Sequence, residues 1–177
     1  MHAIWGDEES CRYMQAPAFR TVEETIAALS RWNEGFEDTS WAVADRKDGE
    51  ALGRIALFTR GRDVWEAACM IAPAARGRNL AARGLAQGID FVFDKKGARR
   101  IFADIDPENT ASIRVFEKLG FRREGVLRAE WETHIGVRDS LIMGLTKFDA
   151  RSWRSADSGS PNTLKPNAAA ADRKSAP

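Results

Sequence analysis

Between Val64 and Gly120 the chain twice passes from a short apolar run into a helix-spaced segment, and few folds accommodate that order. The first run, VWEAACMIA, has the length of a buried strand and ends at Pro73. After the turn AARGRN, apolar residues at Leu80, Ala81, Leu85, Ile89, Val92 and Phe93 recur at helical spacing. This helix closes near Lys95, Lys96 and Gly97, a basic last turn followed by glycine. The pattern then repeats. ARRIFADID reads as a strand, and NTASIRVFEKLG as a helix with Asn109 or Thr110 at its N-cap and Gly120 at its stop. Strands alternating with helices in this way place the helices against the faces of a sheet.

The flanks extend the order. TVEETIAALSRWNEGF opens with Thr21 and Glu24 at capping-box spacing, and Ile26, Leu29 and Trp32 share one helix face. WAVADRKDGEALGRIALF predicts a hairpin turning at Asp48-Gly49. FRREGVLRAEWET and VRDSLIMGLTKF predict two strands around Gly136. The expected fold is therefore α/β, a mixed sheet with helices on both faces. From Ser155 onward the residues are mostly Ser, Pro, Ala and Asn, with too little apolar surface to offset the entropy of ordering. One domain over residues 1–154 and a disordered tail over 155–177 are expected.

Charge and composition remove several classes of function. Lys+Arg 27 against Asp+Glu 26 gives a net charge of +1, which argues against nucleic acid as the main partner. Cys11 and Cys69 are far apart, and His2 and His134 are isolated, so neither a disulfide framework nor a metal site is expected. No apolar run reaches the length of a membrane span, and the N-terminus has no basic-then-apolar signal region. The expectation is a cytoplasmic protein without a membrane partner. Trp32, Trp41, Trp65 and Trp131 are expected as core or pocket walls, and Cys69 as a buried small hydrophobe.

The turn Arg76-Gly77-Arg78 enters a helix directly after a strand. A helix N-terminus offers unpaired N–H groups and a partial positive charge, which suit an anion. The two arginines add charge, and Gly77 is expected to let the backbone approach a phosphate closely. No Gly-Lys-Ser/Thr follows, so this is not a Walker A loop. On its own the segment reads equally well as a basic start to a surface helix.

The second block, DPENTASIRVFEKLGFRREG, shifts the balance toward the anion site. Together the two blocks resemble the GNAT acetyltransferase superfamily, and within it the RimJ/RimL-like branch. Arg76, Asn79 and Ala81 fall on the marked positions of its Gln/Arg-x-x-Gly-x-Gly/Ala motif. Asn109, Ser112, Glu117, Lys118, Gly120, Phe121, Glu124 and Gly125 match the branch's Asn-x-x-Ser and Glu-Lys-x-Gly-Phe-x-x-Glu-Gly pattern. The resemblance covers about Trp5 to Trp153 and implies a mostly antiparallel central sheet with a V-shaped splay between two central parallel strands. It implies acetyl-CoA as co-substrate, with no metal. The backbone of Met70, Ile71 and Ala72 would pair with the pantetheine arm. The turn Arg76, Gly77, Arg78, Asn79, Leu80 and Ala81 would hold the pyrophosphate. Asn109 would bond the pantetheine end, and the helix carrying Phe116 would flank the thiol.

The implied reaction is direct attack of an amine on the thioester. A backbone N–H near Met70 or Ile71 would receive the oxyanion. Glu66 is the candidate base, since strand alternation puts it on the face of Met70. A tyrosine usual in the superfamily seven residues after the Asn is Phe116 here, which leaves Ser112, one turn earlier, as the candidate acid. An α-amine with a pKa of ~7.7–8 is partly neutral in the cell, whereas an amine near ~10.4 is about 0.1% neutral. The expected acceptor is therefore a protein or peptide N-terminus or another low-pKa small-molecule amine, with an antibiotic or polyamine as the enzymatic alternative.

Two further departures shape the expectations. Asn79 stands where the motif has its middle glycine. The branch's usual first strand is absent before Trp5: either the true start lies upstream, or the sheet lacks an edge strand, which predicts an exposed edge, poor solubility or association into a homodimer. These departures, with Phe116, also motivate a reading of different class, a non-catalytic acyl-CoA-binding or interaction module.

Overall fold

The computed structural model describes residues 1–34 and 39–154, with the backbone alone at 32–34. The expected tail and the side chain of Trp32 lie outside the described residues. In chain order the elements are helices α1 (His2–Trp5), α2 (Glu8–Cys11) and α3 (Val22–Glu34), strands β1 (Ser40–Val43), β2 (Gly53–Thr59) and β3 (Val64–Ile71), helix α4 (Leu80–Lys95), strand β4 (Arg100–Ile105), helix α5 (Thr110–Lys118), and strands β5 (Arg122–Thr133) and β6 (Gly136–Thr146). Among the described residues they build one six-stranded sheet of order β1-β2-β3-β4-β6-β5. Every neighbouring pair is antiparallel except β3 with β4, which is parallel. This is the mixed, mostly antiparallel sheet that the sequence predicts.

One sheet face is continuous core. Ile55 and Leu57 on β2, Trp65 and Ala67 on β3, Ile101 and Ala103 on β4, and Met143 and Leu145 on β6 are all buried. Leu85, Ile89 and Val92 of α4 pack into the same cluster. The helix comes in very close because its inner face carries glycines. A Cβ on Gly88 would sit 2.8 Å from Leu57 Cδ1, and one on Gly84 2.9 Å from Ile55 Cγ1.

The parallel pair is short. β3 and β4 are bridged from Val64↔Arg100 to Glu66↔Phe102, although β3 continues to Ile71 and β4 to Ile105. Beyond Glu66 the two strands part, which is the expected splay. β3 stays paired to β2 as far as Gly53↔Ile71, so one edge of its last turns is held and the other is open.

Several local expectations need correction. The hairpin of β1 and β2 forms as expected, but its turn lies one residue early, at Arg46–Gly49. Gly49 N–H donates to Arg46 O at 3.0 Å, and the charged run around it stays outside the sheet. On α3 the capping box forms, with Glu24 N–H donating to Thr21 Oγ1 at 3.2 Å and Arg20 N–H to Glu24 Oε2 at 2.7 Å. The buried residues, however, are Thr25 and Ala28, and Ile26 is 58% exposed. The helix turns its Thr25 side to α1, where His2 Nδ1 lies 2.8 Å from Thr25 Oγ1. Helices α1 and α2 were not foreseen. Asp7 caps α2, its carboxylate accepting from Ser10 N–H at 2.7 Å, and Ile4 and Trp5 of α1 are buried. The sheet ends at β1 on one side and at the exposed β5 on the other.

Candidate active site

Alternation along β3 decides which backbone groups face the splay. Ala72 N–H donates to Leu52 O at 2.8 Å, and Arg60 N–H to Val64 O at 2.8 Å, so even-numbered residues of β3 direct their peptide groups toward β2. Arg99 N–H donates to Asp63 O at 2.9 Å on the opposite edge. The N–H and C=O groups that face the splay therefore belong to Cys69 and Ile71. This corrects the expectation for Met70 and Ala72, whose peptide groups are turned to β2. Among the expected backbone donors, Ile71 keeps its place and Cys69 joins it.

The turn into α4 gives a physical reason for Asn79. This residue is the N-cap at φ 59 and ψ 19, in the left-handed region. Glycine and asparagine tolerate that region best, so the two are interchangeable here on backbone grounds. Asn79 makes no side-chain cap, and its Oδ1 accepts instead from Lys118 Nζ at 2.9 Å. Gly77 also has positive φ, 76°, but a Cβ there would meet nothing within 4 Å. Its glycine is required by conformation rather than by crowding from the rest of the chain.

A cleft of about 490 Å³ runs from the splay to this turn. Met70, Ile71, Arg76, Gly77, Asn79, Leu80, Ala81, Asn109 and Ser112 line it. Asn109 is the α5 N-cap, its Oδ1 accepting from Ser112 N–H at 3.1 Å, which leaves its amide protons for other partners. Three expected residues do not line the cleft. Arg78 turns away to Asp45 at 3.1 Å. Ala72 is buried. Phe116 is 2% exposed, with its ring edge-on to Phe121 at 5.0 Å, so it belongs to the core under α5 and not to the cleft. The cleft suits coenzyme A in shape and chemistry: an open strand edge beside a left-handed turn at a helix N-terminus. Arg76 is not a free cation there. Its Nη2 donates to Ser10 Oγ at 2.6 Å and lies 4.0 Å from Asp7 Oδ2, tying the cleft wall to α2.

A second cavity, about 400 Å³, opens on the other side of the splay. Glu66, Ala68 and Met70 face it from β3, with Arg54, Ala56 and Phe58 from β2. Glu66 thus lies on the face of Met70, as expected, and its Oε2 accepts from Arg60 Nε at 2.7 Å and from Arg60 Nη2. Asp106 in the same cavity is 6% exposed in its side chain and receives Arg138 at 2.7 and 3.1 Å. Burial pushes its carboxyl up, but the bonds from Arg138 and the Glu108 N–H, with the charges of Arg138 and Arg12, outweigh it and hold the carboxyl below its ordinary value. Asp104 differs. It accepts from Trp131 Nε1 at 3.0 Å and from the buried Ser140 hydroxyl, both neutral donors.

The charged residues of the second sequence block have structural partners. Arg123 donates to Glu117 Oε1 at 3.0 and 2.8 Å. Arg100 and Glu124 form a two-pronged pair that crosses β6 at Gly144, where a Cβ would collide with Glu124 Oε1 at 2.2 Å. Sequence reasoning missed Tyr13, which lines both cavities. No local motif marks it. Trp41 and Trp65 are core, and Trp131 lines the second cavity. Cys69 is partly open to both cavities, unlike the buried hydrophobe expected, although burial of its thiol pushes the pKa up to about 12. No group of three or more His, Cys, Asp or Glu suited to a metal ion occurs among the described residues, and no described helix is long and apolar enough to cross a membrane.

Residues 1–122 match the family described as the acetyltransferase (GNAT) domain. The probable N-acetyltransferase YjcK of Bacillus subtilis is 25% identical over 138 residues, covering 71% of this chain and 76% of YjcK. Among solved structures, a GNAT-family acetyltransferase from Bacillus anthracis superposes with a TM-score of 0.73 at 22% identity, over 82% of this chain and 86% of that one. Spermidine N-acetyltransferase from Vibrio cholerae, solved with CoA and spermine, superposes at 0.69 with 18% identity and the same coverage, 82% and 86%.

Proposed function

The chain belongs to the GNAT acetyltransferase family and is an acetyl-CoA-dependent N-acetyltransferase, and from that premise we propose a RimJ/RimL-like cytoplasmic enzyme whose acceptor is a low-pKa amine: a protein or peptide N-terminus, or a small-molecule amine of similar basicity. The observation that carries this reading is the ion pair on Glu66. Its carboxylate is already engaged by the Arg60 guanidinium. It suits an amine that arrives largely neutral better than one that must lose a proton at a cost of roughly 4 kcal/mol.

Acetyl-CoA supplies the acetyl group already activated as a thioester. In this reading the turn Arg76–Ala81 binds the pyrophosphate, with Arg76 exchanging its Ser10 partner for phosphate oxygens. The peptide groups of Cys69 and Ile71 pair with the pantetheine arm, and one of their N–H groups receives the developing oxyanion. Glu66 orients the incoming amine and accepts its proton. Ser112, at the first turn of α5, bonds the cofactor near its sulfur.

One observation favours a second reading. Asp104 faces the acceptor cavity with neutral partners and has the Trp131 indole beside it, a pairing that suits an ammonium group. A polyamine or aminated antibiotic would use it. Thiol release from acetyl-CoA, measured across peptide N-termini, polyamines and aminoglycosides, decides between them. The expected outcome is faster turnover of peptide α-amines, and much faster turnover of a polyamine overturns the first reading. Glu66→Gln and Ser112→Ala are each expected to slow release, and unchanged rates in both would remove those roles while leaving the fold intact.

A further inference from the structure

The thioester carbon must be reached from the cofactor cleft and from the acceptor cavity, so the residues common to both mark where it reacts. They are Tyr13, Cys69 and Met70. Ser112 lines the cofactor cleft alone, and Glu66 the acceptor cavity alone. Met70 has no proton to give, and the Cys69 thiol, its pKa pushed up to about 12, is a poor donor at neutral pH. Tyr13 is the one tyrosine in the chain. Its hydroxyl donates to Glu108 O at 3.3 Å, a long and exposed bond beside the α5 N-cap that is readily exchanged for another acceptor. The segment carrying it is pinned on both sides, by Arg76 on Ser10 at 2.6 Å and by His134 N–H on Gln15 O at 3.0 Å. The N-terminal strap therefore holds a phenol over the mouth of the splay, while α5 turns Phe116 into the core.

Resting on the acetyl-transfer reading above, we propose that Tyr13 is a catalytic residue that donates its phenolic proton to the departing sulfur. The amine lone pair forms the C–N bond, and the C–S bond breaks with its electron pair left on sulfur. The phenolic proton passes to that sulfur. The proton that the acylated nitrogen sheds passes to Glu66 and from there, through solvent, to the phenolate, so the sum is amide plus free thiol.

Two measurements test this. Tyr13→Phe is expected to slow thiol release on the order of a hundredfold, with the Kd for coenzyme A from calorimetry unchanged. Tyrosine labelled with carbon-13 in its ring gives a single NMR signal in this chain. That signal is expected to shift with coenzyme A and to shift far less with desulfo-coenzyme A, which lacks the sulfur. A full rate in Tyr13→Phe, or equal shifts with both ligands, overturns the proposal. A wild-type protein whose signal responds to the sulfur but which releases no thiol with any amine defeats the acetyl-transfer reading instead, and with it the proton-donor role.

Discussion

The cofactor cleft and the acceptor cavity share β3 and differ in almost everything else. The cleft is built from two local strand-to-helix passages, with its backbone determinants inside Cys69–Ala81 and Asn109–Ser112. The cavity draws side chains from α1, β2, β3, β4, β5, β6 and the segment after α2. The cleft offers peptide groups at an open strand edge and a left-handed turn. The cavity offers carboxylates, each in a different state of pairing: Glu66 with Arg60, Asp106 with Arg138, Asp104 with neutral donors. A backbone-built site depends on conformation at a few positions and tolerates side-chain change. A side-chain-built site depends on long-range register and on charge balance.

The largest difference is expected on the acceptor side. Arg138→Met strands the buried Asp106 carboxylate and also removes the Glu108 partner at 2.9 Å. Breaking a fully buried pair is strongly destabilising, and the partial exposure of Arg138 reduces the loss. That loss lowers Tm by several degrees in a thermal melt. The pH dependence has a definite sign. Asp106 is held below its ordinary carboxyl value, so in the wild type its contribution is present above about pH 4 and is lost as pH falls through the depressed value. The stability gap between wild type and variant should therefore close on acidification, and a constant gap would show that Arg138 acts through packing alone.

On the cofactor side the matching change is Gly77→Val. A β-branched residue at φ 76 costs about 1–2 kcal/mol or forces the turn open. Since a Cβ there meets nothing within 4 Å, the effect should fall on coenzyme A affinity, by roughly tenfold, more than on packing. Calorimetry with coenzyme A tests this. Unchanged affinity would mean that the turn does not bind the pyrophosphate.

The same contrast explains what could be read in the sequence. α4 and α5, their caps and the strands before them follow from spacing and capping residues that are neighbours in the chain, such as Asn109 with Ser112. Which edge of β3 each peptide faces depends on its register with β2, which no local pattern encodes, and so the donors fell one residue away from Met70 and Ala72. Phe116 sits at a motif position, yet its apolar ring buries against Phe121 once no hydroxyl holds it at the cleft. Ile26 looked like core because it fits a helical stripe, but α1 packs on Thr25 instead. Tyr13 reaches the splay across 95 positions from Glu108, a juxtaposition that only the folded chain creates.

Asn79→Gly is the smallest change and the sharpest test of a backbone-built site. The position already holds φ 59 and ψ 19, which glycine adopts without steric cost, so the turn should keep its shape. What is lost is the exposed bond from Lys118 Nζ to Asn79 Oδ1 at 2.9 Å, a contact that contributes at most a few tenths of a kcal/mol. What is gained is open space beside the peptide groups that would face a pyrophosphate. Coenzyme A should therefore bind as tightly as before or tighter, with Tm essentially unchanged. A clear loss of affinity measured by calorimetry would make the asparagine amide itself a ligand and bring a side chain into the half of the molecule that otherwise binds through its backbone.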